Sequence, residues 1–343
     1  MMKRLKSILT FSLIAAALLL PASLRASVPA FMTNAATQND KDKVALYEKF
    51  KTNSTGDVKA QKTAYETGKE YLKKYPNDTD AKATEVKTFV ELFEKEEMRP
   101  SDVLVKVYKD KKYAEAFQLG KQILVDNPDN IKVLTALGYA GMLNAATGNN
   151  EFSTDAIAYA KKAIQLIESG KNPPDWKPLS STRDETLGWL NYSIGLMSLR
   201  TIPGEAMTYL MKAAMYEGKP KKDPTLYYYI ALLREQDAQK LRAEHEKATP
   251  NTPEATAASA KLNETIDMII DAYARVISYL EADPQAQQRY QQQKAGWMEK
   301  LTTLYKFRHK DSDAGLKEYI AGIQAKPMPG QPEQTLVPTT MTP

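Results

Sequence analysis

The sequence predicts an all-α protein, a stack of antiparallel helical hairpins, and three observations carry that expectation. A phrase recurs in register: Ala64, Gly68, Tyr71 and Pro76; then Ala116, Gly120, Ile123 and Pro128; then Ala272, Val276, Tyr279 and Pro284. Each copy sets three small or apolar residues at i, i+4 and i+7, on one helical face, and a proline just beyond the helix end. Helix breakers cluster at intervals along the chain, and no alternating apolar and polar run bounded by hairpin turns lies between them. A lone hairpin cannot bury its apolar face, so a repeat of this kind builds its core from neighbours.

Residues 1–26 read as a secretory signal peptide. Lys3, Arg4 and Lys6 precede an apolar run from Ile8 to Leu20, and small residues close it at Ala22 and Ala26. The run is about 13 residues, short of the roughly 20 a spanning helix needs, so cleavage after Ala26 is expected, with an uncleaved anchor as the alternative. The chain has 47 basic and 42 acidic side chains, but Lys3, Arg4, Lys6 and Arg25 fall in a leader without acids. What remains is almost neutral and evenly mixed, which argues against nucleic acid as a partner and against stable membrane insertion after cleavage. There is no cysteine. That excludes disulfides, thiolate metal sites and a lipoprotein anchor, and together with the leader it points to a bacterial periplasmic or secreted protein. Four Asn-x-Ser/Thr triplets, at Asn53, Asn77, Asn191 and Asn263, point weakly the other way.

Residues 27–41 are small, polar and aperiodic, and are expected to form a flexible lead-in. From 42 to 326 the pattern is helical almost without interruption, with breaks expected at 53–56, 76–80, Pro100, 128–130, 148–150, 170–178, Pro203-Gly204, 218–224, 250–253, Pro284 and 310–313. Residues 327–343 are rich in proline and without helical period, and are expected to be a disordered tail. Within it Pro329-Gly-Gln-Pro332 matches a P-x-x-P pattern that composition alone explains.

Several of these hairpins resemble the tetratricopeptide repeat, which asks for W-x2-L-G-x2-Y on a first helix and A-x3-F, A and P on a second. Leu137-Gly138 is followed by Ala156, Ala160 and Ala163; Ile194-Gly195 by Ala206, Leu210 and Ala213; Ile230-Ala231 reaches Ala272 after a Thr- and Ala-rich insert at 248–260. The last hairpin offers Met298, Leu301, Thr302 and Tyr305, then Ala314 and Ala321. No unit has tryptophan at the tryptophan position. The resemblance implies a right-handed α-solenoid of five to seven units whose concave groove is lined by the second, fifth and ninth residues of each first helix. Carried over, these are Lys132, Thr135 and Tyr139; Trp189, Tyr192 and Leu196; Thr225, Tyr228 and Leu232.

Chemistry is sparse by comparison. Both histidines, His245 and His309, sit among charged residues without a second ligand at i+3 or i+4, so no metal site is expected. No nucleotide-binding, nucleophile-elbow or calcium-loop motif is present, so neither a cofactor nor catalysis is expected. Aromatics gather from Trp176 to Tyr229, beside the Pro-rich stretch 172–178. Core packing accounts for many of them, but Tyr227, Tyr228 and Tyr229 stand about 100° apart on a helix and cannot all face inward. The expected function is a non-catalytic scaffold that holds a protein or peptide in an aromatic groove, at Lys132, Thr135, Tyr139, Trp189, Tyr192 and Tyr228 above all. The alternative is glycan capture for nutrient uptake, with the Trp176 loop and the tyrosine run stacking on sugars.

Overall fold

The computed structural model describes residues 30–173 and 175–330, so the leader and most of the tail lie outside the described residues. The chain is all-helical, with no strand among the described residues. The described residues divide into two compact units, one up to Ser101 and one from Asp102.

In the first unit, α1 (Ala30–Ser54) and α2 (Val58–Lys74) form a hairpin, and α3 (Ala81–Phe93) packs on both. Asp57 and Asp80 cap α2 and α3 by accepting from the Ala60 and Ala83 amides, each at 2.8 Å. The repeated phrase on α2 is buried throughout, in a core with Tyr47, Phe50, Ala83 and Val86. Its Gly68 makes the close approach: a Cβ there would lie 2.7 Å from Val90 Cγ2. Residues 30–41, expected as a flexible lead-in, belong instead to α1. No glycine or proline interrupts 30–54, so nothing stops the helix from extending towards its N-terminus.

Pro100 does not break the chain as expected. The helical run passes from α3 through a π-helical stretch, Glu94–Met98, into α4 (Arg99–Leu104), within which the two units divide, and then into a second π-helical stretch, Val105–Lys109. Widened turns beside a proline absorb its missing N–H and the bulk of its ring. The break comes later, at Lys111, whose φ is +56°.

The second unit continues with α5 (Tyr113–Asp126), α6 (Ile131–Ala145), α7 (Ser153–Glu168), α8 (Arg183–Ser198), α9 (Pro203–Ala213), α10 (Pro224–Lys247), α11 (Pro253–Ala282), α12 (Pro284–Arg289), α13 (Gln291–Arg308) and α14 (Leu316–Gly322). The side chains of Asn130, Thr182, Asp223, Thr252 and Asp283 cap α6, α8, α10, α11 and α12. Antiparallel pairs α6–α7, α8–α9 and α10–α11 make the main contacts; α6 also packs on α8, and α11 on α13 and α14. Second helices carry the phrase inward: Ala116, Gly120 and Ile123 on α5; Ala156, Ala160 and Ala163 on α7; Ala206, Leu210 and Ala213 on α9; Ala272, Val276 and Tyr279 on α11 are all buried. Small residues on the first helices meet them. A Cβ on Gly138 would lie 2.9 Å from the Ala160 methyl, and one on Gly195 2.6 Å from Leu210 Cγ.

Three expectations about this unit need correction. The stretch 248–260 is not an insert between separate elements: Thr252 caps α11 at Pro253, so the stretch lengthens one hairpin to arms of 24 and 30 residues. In the last hairpin Ala314 and Ala321 are exposed, and the buried i, i+4, i+7 set is Leu316, Ile320 and Ile323. Gly315, at φ +85°, holds a left-handed turn that starts α14 at Leu316 and resets its register. Pro327–Gly330, assigned to the tail, are described, and Met328 is buried in the core. No helix among the described residues is long and apolar enough to cross a membrane.

Candidate functional site

Helix α6 is buried on nearly every side, leaving Lys132, Tyr139, Leu143 and the terminal Ala145 half-buried. Trp189 and Leu196 are the corresponding residues of α8, with Leu199 just beyond its end, and Thr225, Tyr228, Tyr229 and Leu232 those near the start of α10. The aromatic members touch in sequence. Tyr108 stacks on Tyr139 with ring centroids 6.0 Å apart, Tyr139 meets Trp189 edge-on at 5.5 Å, and Trp189 lies 6.0 Å from Tyr192. The Tyr192 hydroxyl is 2.6 Å from Thr225 Oγ1, which donates at 2.7 Å to Asp223 Oδ1. On the far side Tyr228 lies 5.7 Å from Tyr229 and 5.2 Å from Trp297, itself 5.7 Å from Tyr290. A row of rings therefore runs across α6, α8, α10 and α13.

Each of the six candidate residues has a definite place. Tyr139 and Trp189 lie side by side on the half-open strip, and Tyr228 joins the Trp297 end. Tyr192, at 4% exposure, is buried, and its hydroxyl is taken up by Thr225. Thr135 is likewise buried, and its hydroxyl finds no hydrogen-bond partner among the described residues. Lys132 and Thr135 line a small cleft with Tyr108, Ile131 and the loop residues Pro173, Asp175, Trp176 and Pro178. That loop packs its tryptophan on the core around Ile131, Leu134 and Ile167, so Trp176 is a wall of the cleft. Of the tyrosine run only Tyr227 turns inward, stacked on Tyr279 at 5.1 Å with its hydroxyl donating to the Lys221 carbonyl.

Sequence reasoning missed Tyr108, Asp223, Tyr290 and Trp297. Tyr108 lies in a π-helical stretch where the 3.6 period fails, and Trp297 neighbours Met298, which the repeat pattern favoured. Burial holds the Tyr192 hydroxyl well above the ordinary tyrosine range, and the Asp223 charge adds to it. Tyr139 and Tyr229 are raised by burial too, with Asp223 again contributing. The row thus keeps neutral hydroxyls near one carboxylate. No group of three or more His, Asp or Glu suited to a metal ion occurs among the described residues. Aromatic faces with a few fixed polar groups can hold an extended chain by stacking and hydrogen bonding.

Compared with known proteins, the chain matches no family model, no curated protein and no solved structure.

Proposed function

We propose that this chain is a non-catalytic adaptor of a bacterial cell envelope, a tetratricopeptide-like α-solenoid that holds a peptide or protein segment along its aromatic row. The observation that carries the reading is the row itself: Tyr139, Trp189, Tyr228 and Tyr229 come from three successive first helices and remain half-buried. Rigid aromatic side chains give large contact area at little entropic cost, which is why they dominate protein-binding surfaces. The pairing of first helices with second helices, and of α6 with α8, supports the solenoid reading. Export rests on residues 1–26.

Peptide display against the mature chain tests the assignment. Selected peptides should bind Trp189→Ala and Tyr228→Ala about tenfold or more weakly than the unchanged protein, the loss expected of aromatic anchors. Equal binding by all three proteins would remove the row from the interface.

A further inference from the structure

We propose that the part of the row edged by Tyr139, Trp189, Tyr192 and Tyr229 receives the cationic side chain of a lysine or arginine in the bound peptide, with Asp223 as its counter-charge. The inference rests on the peptide-groove reading and adds to it a charge requirement that an apolar groove lacks.

Asp223 is fixed in place. As the cap of α10 its Oδ1 accepts from the Thr225 amide at 2.9 Å and from the Thr225 hydroxyl at 2.7 Å. The same Thr225 hydroxyl lies 2.6 Å from that of Tyr192, so two hydrogen bonds join the carboxylate to the ring next to Trp189. Some carboxylates of this unit are taken up by the chain's own lysines, as Asp129 is by Lys162 and Lys171. Asp223 is in no ion pair among the described residues, although Lys221 and Lys222 are its chain neighbours. A half-buried carboxylate joined through Thr225 to the tyrosine next to Trp189 suits a cation, since it supplies the full charge while aromatic faces carry the negative end of the ring quadrupole. The chain already sets one cation on this row, with the Arg289 guanidinium 5.9 Å from the centre of the Tyr290 ring. An acidic segment would meet Asp223 unfavourably, and a purely apolar one would leave it desolvated without a partner.

Arginine and citrulline differ in charge at nearly equal size, which isolates the claim. Ac-Ala-Leu-Arg-Leu-Ala-NH2 and its citrulline counterpart are titrated into the mature full-length chain, followed by the indole N–H resonance of Trp189. The arginine peptide should bind about fivefold or more tightly than the citrulline peptide. Asp223→Asn should bring that ratio to about one while leaving the helical circular dichroism unchanged, because asparagine caps a helix as well as aspartate does. A ratio near one in the unchanged protein, or a preference that survives Asp223→Asn, overturns the proposal and leaves the peptide groove standing. Failure of both peptides to move the Trp189 resonance at millimolar concentration overturns the groove and the proposal together.

Discussion

Gly141→Ala should destabilise the second unit although alanine is the better helix former. Propensity alone favours the change by about 0.8–1.0 kcal/mol in a helix interior. The site has no room for the added carbon. A Cβ on Gly141 would fall within the methyl of Ala156 on α7 and 2.9 Å from Met197 Sδ on α8. Met197 can rotate away, but the Ala156 methyl is fixed to its backbone, so α6 and α7 must move apart. Overpacking costs typically 1–3 kcal/mol, and a contact that only helix displacement relieves belongs in the upper half of that range. The net change is then a loss of about 1–2 kcal/mol.

Gly296→Ala is the matched control. Gly296 lies within α13, and a Cβ there meets no heavy atom within 4 Å. It should gain close to the full propensity difference, about 1 kcal/mol. Urea denaturation of the two variants should give midpoint shifts of opposite sign. Exchanging the methyl across the interface, Gly141→Ala with Ala156→Gly, restores the space and should recover most of the loss, a coupling of about 1 kcal/mol or more between the two sites. If Gly141→Ala stabilises the protein as Gly296→Ala does, the close approach of α6 to α7 is wrong.

Ala116→Leu should cost about 1–3 kcal/mol, with lost hydrogen-exchange protection confined to about residues 102–168; loss over the whole second unit would replace a repeat stack with one cooperative domain. Ile320→Ala should cost about 2–4 kcal/mol by thermal unfolding while Ala314→Ser changes little, reporting the register that Gly315 sets. Arg275 and Asp271, each with 5% side-chain exposure, form a buried ion pair, and Arg275 also donates to the Lys326 carbonyl at 2.9 Å. Asp271→Ala leaves that guanidinium unpaired, a loss of about 3–5 kcal/mol, with the segment around residues 323–328 losing exchange protection first. Burial raises the Glu85 carboxyl in the first unit, but hydrogen bonds from Lys51 and Tyr47 outweigh it, and the group titrates below its ordinary value. Its contribution is therefore fully present above the ordinary carboxylate range and is lost as pH falls through its lowered folded value; Glu85→Gln should flatten that part of the stability profile.

What the sequence revealed was the set of close approaches. Where two helix backbones nearly touch, only small side chains fit, and that steric demand writes a local pattern at i, i+4 and i+7 that survives from Ala64 to Ala272. Where the period is disturbed, the pattern misleads: the π-helical turns before and after α4 hid Tyr108 and made Pro100 look like a stop, and one left-handed glycine shifted the last hairpin. Asp223 stands before Pro224, where it reads simply as a helix cap, and nothing local distinguishes a cap that also borders the proposed strip.

The row itself was only half visible, for a reason that lies in how first helices are buried. Helix α6 packs against α5, α7 and α8 together, so apolar or small residues occupy almost its whole circumference and no polar face marks the open side. The second helices are different: α7 and α9 keep polar residues outward, and their inward stripe is plain in the sequence. On a helix enclosed by three others, the proposed strip is the narrow line its neighbours leave partly uncovered, here including Lys132, Tyr139 and Leu143. That line depends on where three other segments pass, and is therefore written in no single stretch of chain. Aromatic residues suit it because they fill the gap between adjacent first helices with their edges while keeping a face or a hydroxyl towards solvent, the condition in which Tyr139, Trp189 and Tyr228 are found.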